Sequence, residues 1–281
     1  MFAKFTGQAA PDRAALPTMY DLPSEDPEEP GVPDQFHTCQ ANLLTETFRP
    51  PGHARERFLT AADLNLYYDV HHTGNYKCPD WFAAMDVPHL YGKDDDLRLS
   101  YVVWQEGAVP LIVVELLSPG TEKEDLGMTV RKPGAPPTKW EVYEQILGIP
   151  YYILFSRHTD QLRAFVMTRQ HRYREVHLPE KRLWLPGTGL GLGLWDGTYQ
   201  DSGKRLWLRC YDSDGNWIPT ADERRKTAEQ RAEQERQQAE QERQRAEQEK
   251  KKKKIVEQQL RDERELTRQL LARLAAAGVR Y

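Results

Sequence analysis

The sequence has few cysteines, and none of them has the spacing of a zinc site or a redox motif. Its 281 residues include three, Cys39, Cys78 and Cys210, without a Cys-x-x-Cys pair. We therefore expect three reduced thiols, as in a reducing cytoplasm. Long apolar runs are missing as well, since no stretch approaches the ~20 apolar residues of a membrane span or the apolar core of a secretory signal. These absences predict a soluble, cytoplasmic protein.

Several common enzyme motifs are also absent. The sequence contains no Gly-x-Ser-x-Gly, His-Glu-x-x-His or Walker-type loop, which removes the common hydrolase and NTPase classes. Glycines occupy every second position of residues 187–193, as in some nucleotide-binding loops. However, leucines fill the positions between the later glycines, and the residues that follow do not have a helix pattern. We reject a dinucleotide site because a phosphate-binding loop needs a helix N-terminus there. Residues 212–216 resemble a calcium loop but lack its closing Glu, and Asp214-Gly215 favours a hairpin turn.

Charge and composition divide the chain into three parts. Residues 222–281 carry 17 Lys+Arg and 13 Asp+Glu, which leaves 22 and 30 for residues 1–221 and a net charge of −8 there. An acidic body is unusual for a nucleic-acid-binding protein, which normally carries a basic face. We predict an irregular arm rich in proline and acidic residues over 1–33, one domain over 34–220 and a long helix over 222–277.

The predicted tail helix consists of strong helix formers without Gly or Pro. Ala232, Ala239 and Ala246 are seven residues apart, as in a coiled-coil seam, although alanine is a weak knob. Larger apolar residues, among them Val256, Leu260, Leu266, Leu270, Leu271 and Leu274, occur only toward the distal end. We predict a long solvated helix that forms a homo-oligomer through this distal part. The lysines of residues 250–254 could contact phosphates, but a solvated face is the commoner explanation.

The body has the pattern of an α/β or α+β core. Asp34 and Thr138 are candidate helix caps, and Gly148 ends the second of these helices. Apolar, aromatic and β-branched runs predict strands at residues 64–70, 80–87, 101–104, 110–117 and 151–155. A hairpin follows over residues 162–167 and 172–176. The order strand, strand, helix, strand predicts a mixed sheet with a crossover helix.

Two acidic residues stand at the ends of neighbouring predicted strands. Asp80 follows Pro79, and Glu115 closes the apolar run of residues 111–114. A carboxylate at the end of a buried strand is costly unless it is paired, protonated or bound to a metal. Such a pair can hold Mg²⁺ or Mn²⁺ together with waters, and the ion lowers the pKa of an attacking water. Acids that pair with Arg or cap a loop are the alternative interpretation.

A lysine completes the simplest nuclease pattern two residues after the second acid, but that position holds Leu117. Lys139 is a substitute on the next predicted helix, where it shares one face with Tyr143. There it would orient or deprotonate the water and neutralise developing charge. The other interpretation is an ordinary exposed lysine.

Short motifs between residues 34 and 200 together point to one known family. They are Pro79-Asp80, the string from Pro110 to Thr121, Asp125, Lys139, Tyr143 and the string Gly-Ile-Pro-Tyr-Tyr at 148–152. In this combination the chain resembles the Uma-two family, a bacterial group assigned to restriction endonucleases within the PD-(D/E)XK nuclease superfamily. The resemblance implies a restriction-endonuclease-like core, with a mixed sheet flanked by helices. It also implies that Asp80 and Glu115 bind the metal and that Lys139 is the lysine displaced onto the helix.

We therefore predict a Mg²⁺- or Mn²⁺-dependent endonuclease that hydrolyses phosphodiester bonds of DNA. Asp80 and Glu115 hold the ion, the backbone carbonyl of Leu116 adds a ligand and Lys139 assists the water. Dimerisation through the tail would bring two sites to opposite strands of a duplex. The competing hypothesis is a binding or scaffold protein that keeps the fold without turnover, which the acidic body and Leu117 favour.

Two alternatives remain open from the sequence. His37, on the first helix, either lies near the metal or is a hydrogen-bonded structural residue. The connection between Asp125 and Lys139 is longer than is usual in the family. It either brings Arg131 and Lys132 to a phosphate or is a surface insertion.

Overall fold

The computed structural model describes residues 34–92, 95–118 and 122–276. The chain divides into two compact units, of which one ends at Thr220 and the other begins at Ala221. The predicted arm over residues 1–33 lies outside the described residues. None of the described helices is long and apolar enough to cross a membrane.

A six-stranded mixed sheet forms the centre of the first unit. In sheet order its strands are β1 (Phe58–Ala61), β4 (Trp81–Met85), β6 (Ile112–Leu116), β7 (Tyr151–Ser156), β8 (Gln161–Met167) and β9 (Tyr173–Glu175). Strands β6 and β7 are parallel, whereas all other neighbours are antiparallel. Every residue of β6 is buried, as its continuous apolar run predicts. The strand that carries Glu115 is therefore an interior strand of the sheet.

Smaller elements cover both faces of this sheet, and each face has its own apolar core. One face carries helix α1 (Gln35–Thr47) and a second sheet of β10 (Arg182–Leu185), β11 (Leu190–Thr198) and β12 (Lys204–Tyr211). The other face carries helix α4 (Lys139–Glu141), which continues as a π-helical turn over Val142–Ile146, and a third sheet of β2 (Leu66–Tyr67), β3 (Tyr76–Lys77) and β5 (Tyr101–Val102). The connections include α2 (Val103–Glu106), α3 (Glu122–Asp125) and 3₁₀ turns at Arg55–Arg57 and Pro179–Lys181.

Helix α1 covers the outer edge of β12. Its buried Gln40 donates from Nε2 to the carbonyl oxygen of Leu208 and accepts from the Leu208 amide, both at 2.8 Å. The hydroxyl of Thr47 accepts a longer bond from the amide of Cys210 at 3.4 Å. An uncovered strand edge is a template for pairing with other chains. The side chain of Gln40 therefore takes the place of a further strand and fixes α1 on the small sheet.

The structure confirms the helix after Asp34, the strands within residues 80–87, 110–117 and 151–155, and the hairpin of β8 and β9. The prediction of a strand over residues 101–104 is wrong beyond Val102. There the chain turns into α2, which Gly107 caps with a left-handed φ of 70° and a hydrogen bond from its amide to the carbonyl oxygen of Val103. The predicted strand over residues 64–70 is shorter, limited to Leu66–Tyr67. Strands β1, β3, β10 and β11 were not predicted.

The second unit is one helix, α5 (Ala221–Ala276), of 56 residues, or ~84 Å at the rise of an α-helix. Its proximal half carries polar pairs one turn apart, such as Gln237 with Glu233 and Gln244 with Glu240, both at 3.0 Å. Such pairs stabilise an isolated helix. The predicted fold class is confirmed: an α/β (α+β) protein with a mixed sheet flanked by helices and a long C-terminal helix.

Candidate active site

Asp80 and Glu115 face each other across strands β4 and β6. Trp81 pairs with Val114 in the antiparallel register, so the next position along places Asp80 opposite Glu115. The backbone amide of Asp80 donates to Glu115 Oε2 at 3.4 Å, and the carboxylate Oδ2 of Asp80 accepts from the Leu116 amide at 2.5 Å. The two acids are thus tied together by backbone hydrogen bonds at the point where β4 begins.

Helix α4 adds two side chains to Glu115. Lys139 Nζ lies 3.1 Å from Glu115 Oε2, and the hydroxyl of Tyr143 donates to Glu115 Oε1 at 2.9 Å. The capping box of Thr138 and Glu141 fixes the start of this helix. The change to π-helical geometry after Glu141 leaves Lys139 and Tyr143 directed at the same carboxylate. The structure therefore brings Asp80, Glu115 and Lys139 together.

Asp125 is a third carboxylate at the site, and it was not among the predicted site residues. It ends α3, is 1% exposed, and its Oδ1 lies 3.0 Å from Lys139 Nζ. That oxygen accepts no hydrogen bond of normal geometry. Asp125 was noted in the sequence only as part of a motif string. Its burial next to Lys139 depends on the path of residues 126–138, which no local pattern predicts.

The site holds three acidic side chains and one basic one, Lys139. Burial raises the pKa of Glu115; Lys139 lowers it, while Asp80 and Asp125 raise it further. Burial also raises the pKa of Asp80, although Lys139 and His37 oppose the change. Burial lowers the pKa of Lys139, but Glu115, Asp125 and Asp80 outweigh it and hold that pKa well above its usual range. Lys139 is therefore an ammonium ion among three carboxyl groups.

His37 lies beside the site as a structural residue. Its Nε2 is 3.0 Å from the carbonyl oxygen of Leu116, and its Nδ1 is 2.8 Å from Asp34 Oδ1. A carbonyl oxygen and an ionised carboxylate both accept, so both ring nitrogens carry hydrogen. Burial lowers the pKa of His37, but its bonds and nearby acids, first the side chain of Asp34, raise it on balance. An imidazolium has no lone pair for a metal, so His37 is not a ligand in this arrangement.

The position where the simplest nuclease pattern has its lysine is part of the apolar core. Leu117 is 8% exposed and packs with the residues of the second core, which include Val142 and Leu154. Arg131 contacts Glu141 of α4 at 3.7 Å, and Lys132 is exposed next to it. Both lie on the connection between α3 and α4, which begins and ends at the site.

The donor chemistry of the site fits a hard divalent cation. With all acids ionised, Asp80, Glu115, Asp125 and Lys139 carry a formal charge of −2, and Asp125 Oδ1 lacks a hydrogen bond. Carboxylate and carbonyl oxygens are the ligands of Mg²⁺, which also keeps several waters. Within the described residues no group of three or more His, Cys, Asp or Glu side chains converges in a ready-made metal cage. The fit therefore rests on Asp80, Glu115 and the Leu116 carbonyl, with waters for the other positions.

A mixed sheet with acids where two central strands meet, and with a lysine on the crossover helix, defines a restriction-endonuclease-like protein. The family model Uma2, described as "Putative restriction endonuclease", matches residues 13–198, and the chain belongs to this Uma-two family. A similar solved structure is "a putative nuclease belonging to DUF820 from Anabaena variabilis", with a TM-score of 0.35 and 13% identity over 56% of this chain and 75% of that chain. No curated protein matches the chain.

Proposed function

We propose that this chain is a metal-dependent endonuclease that hydrolyses phosphodiester bonds of DNA in the cytoplasm. One observation carries the proposal: Glu115, wholly buried on β6, accepts from Tyr143 and contacts Lys139 while it faces Asp80. A core position that holds a carboxylate in place of an apolar residue costs free energy. The cost is understandable if the carboxylate has a chemical task.

Asp80 and Glu115 are the proposed ligands of Mg²⁺ or Mn²⁺, with the carbonyl of Leu116 as a third. That carbonyl accepts from His37 at 3.0 Å and keeps a second lone pair. A bound ion of this kind lowers the pKa of a water and offsets charge on phosphoryl oxygens. Tyr143 holds one oxygen of Glu115 in a fixed direction, so the carboxylate is preorganised.

Lys139 is the proposed partner of the attacking water and of the phosphoryl group. Its ammonium is held at 3.1 Å from Glu115 and 3.0 Å from Asp125. An ammonium donates hydrogen bonds and has no lone pair with which to take a proton. We therefore assign to Lys139 the orientation of the water and the neutralisation of developing charge, rather than the removal of the proton.

Self-association through the distal part of α5 is part of the proposal. Seven large apolar side chains are exposed there: Ile255, Val256, Leu260, Leu266, Leu270, Leu271 and Leu274. Leu260 and Leu274 continue the seven-residue spacing of Ala232, Ala239 and Ala246. Apolar residues in one heptad register form a coiled-coil seam. Two copies joined in this way would supply one active site for each strand of a duplex.

The alternative function is a nuclease-fold binding protein without turnover. The burial of Leu117 favours it, because the usual lysine position contributes no amine. The two functions differ in one observable, the cleavage of a phosphodiester bond.

A plasmid-nicking assay with Mg²⁺ or Mn²⁺ tests the proposed activity. We expect the wild type to nick supercoiled DNA, and Glu115→Gln and Lys139→Met each to lose at least ~100-fold, the scale of general-base and electrostatic contributions. Glu175→Gln on β9, an exposed acid that pairs with Arg163, is the matched control and should retain activity. Wild-type protein that binds metal but leaves the plasmid intact would establish the alternative.

A further inference from the structure

The connection between α3 and α4 is a loop whose two ends are held at the candidate site. It comprises residues 127–137, here named the basic loop. Asp125 and Lys139 flank it, and their side chains meet at 3.0 Å. Successive residues extend at most ~3.6 Å, so Val130, five residues from Asp125, lies within ~18 Å of that acid. Whatever the candidate site binds is therefore within reach of the basic loop.

The basic loop has a charge opposite to that of the body around it. It contains Arg131 and Lys132 and no acidic residue, whereas residues 1–221 carry a net charge of −8. Both side chains are exposed. Arg131 contacts Glu141 at 3.7 Å, on the first turn of the helix that carries Lys139. That contact ties the guanidinium to the first turn of α4, and its 44% exposure leaves donors for a ligand.

Two large apolar side chains precede the basic pair and face solvent. Met128 is 65% exposed and Val130 is 88% exposed. The loop has little freedom to withdraw them. Gly127 has a φ of +67° and packs against the ring of Trp140, where a Cβ would come within 2.7 Å. Three prolines, Pro133, Pro136 and Pro137, restrict the other half of the loop. A short, restricted loop thus presents two apolar and two basic side chains side by side.

We propose that the basic loop is the duplex-contacting element of the candidate site, with Arg131 and Lys132 on phosphates and Met128 and Val130 against the sugar and base surface of a groove. This inference rests on the proposed function, because it takes DNA as the substrate. A duplex carries about one negative charge per 1.7 Å of its axis, so one held at the site presents about ten within the reach of the loop. Apolar wedges next to basic residues are a known way to contact a groove.

A protein partner fits the basic loop less well than DNA does. Stable protein interfaces bury about 800 Å² on each partner, far more than two apolar side chains on an eleven-residue loop supply. Isolated exposed apolar residues are also common on protein surfaces. Here the exposed apolar residues stand next to two basic ones, in a loop without acidic residues and beside the proposed nuclease site. This combination favours a polyanion such as DNA as the ligand.

The test is the binding of a fluorescein-labelled 20-base-pair duplex to the full chain in EDTA, followed by fluorescence anisotropy over a series of salt concentrations. R131A/K132A should lower the affinity roughly tenfold at 50 mM salt and reduce the slope of log K against log salt by about two. M128S/V130S should lower the affinity and leave the slope unchanged, because apolar contacts release no counterions. R169A/R174A removes two exposed arginines elsewhere on the body and should match the wild type.

Two results would overturn the inference. One is an R131A/K132A variant that matches R169A/R174A in both affinity and slope. The other is a wild type that does not bind the duplex at 50 mM salt. Since EDTA removes turnover from the measurement, a protein that binds through the loop but never nicks DNA contradicts only the proposed hydrolysis. The four substituted side chains are solvent-exposed, and unchanged thermal unfolding shows that the variants are folded.

Discussion

At the scale of single residues, Asp125 explains why Lys139 stays at the site. Its carboxylate is buried, lies 3.0 Å from the ammonium and lacks a hydrogen bond at Oδ1. Asp125→Asn removes one of the two charges that compensate the buried ammonium, while Glu115 remains. It should therefore destabilise the protein by about 3 kcal/mol, the lower end for breaking a buried ion pair. The measurement is urea unfolding of the full chain.

A double-mutant cycle supplies the control for Asp125. In a Lys139→Met background the carboxylate has no ammonium to compensate, so Asp125→Asn should cost less than in the wild type or even stabilise the fold. Equal losses in both backgrounds would mean that Asp125 supports the fold independently of Lys139.

The His37–Asp34 pair makes stability depend on pH in a defined direction. Burial raises the pKa of Asp34, but bonds from His37 and the charges of His37 and Arg157 outweigh it and lower that pKa to about 2. Asp34 is therefore ionised at all ordinary pH values. The pKa of His37 is raised, so its contribution is full below about pH 6.5, the unfolded value, and is lost as the pH rises through the folded value.

We expect His37→Gln to cost about 1.5–3 kcal/mol of unfolding free energy at pH 6 and distinctly less at pH 9. Urea titrations at the two pH values measure this difference. A cost that is independent of pH would contradict the assignment of an imidazolium at this position.

The sequence was informative for residues with a local signature. Asp80 after Pro79 and Glu115 after an apolar run stand out because acids are costly at strand ends. Asp125 depends on a contact with Lys139 across 14 residues of sequence, and His37 depends on the Leu116 carbonyl, 79 residues away, as well as on Asp34, three residues before it. No local pattern encodes the two longer contacts.

At the scale of elements, glycines of β11 create room for aromatic side chains on the outer face of the small sheet. A Cβ at Gly191 would lie 2.1 Å from Cζ of Tyr211, whose ring also contacts Trp184 and Trp217. Gly191→Ala should therefore destabilise the protein by about 1–3 kcal/mol, the usual cost of overpacking, as measured by thermal unfolding.

Gly74→Ala is the matched control, because its added Cβ has no atom within 4 Å and its φ is not in the left-handed region. It should leave the unfolding temperature nearly unchanged. Equal stability of Gly191→Ala and the wild type would mean that the ring of Tyr211 moves without cost.

Helix α5 has a solvated proximal half and an apolar distal end, and we expect only the latter to mediate self-association. Leu270→Glu combined with Leu274→Glu, at side chains 50% and 39% exposed, should reduce the mass measured by light scattering to that of a monomer. Ala239→Glu combined with Ala246→Glu adds the same charge to the proximal half and should leave the mass unchanged. A wild type that is already monomeric would rule out this role for the tail.

The helices and strands that could be predicted are those with a long or regular residue pattern. Strand β6 and helix α5 have unbroken patterns, so both were predicted. Strand β11 escaped prediction because its glycines, which are poor strand formers, are required by rings that come from β12 and the following turn. The strand at Tyr101 was predicted too long because Gly107, six residues on, allows the chain to close a helical turn.

At the scale of the whole molecule, the first unit combines an interior sheet with a charged cluster at one point of its central strands. The mixed sheet could be predicted because strands and a crossover helix follow in a recognisable order. The packing of the small sheet against α1 could not be predicted, because it depends on a hydrogen bond between the side-chain amide of Gln40 and Leu208, 168 residues away. The proposed function requires that the charged cluster hold a cation.

A calorimetric titration with Mn²⁺ tests that requirement most directly. We predict that the wild type binds one Mn²⁺ per chain, that Asp80→Asn and Glu115→Gln each abolish the binding heat, and that Glu175→Gln binds as the wild type does. The absence of binding to the wild type at millimolar Mn²⁺, or binding that survives both substitutions, would contradict the metal site and with it the proposed nuclease mechanism.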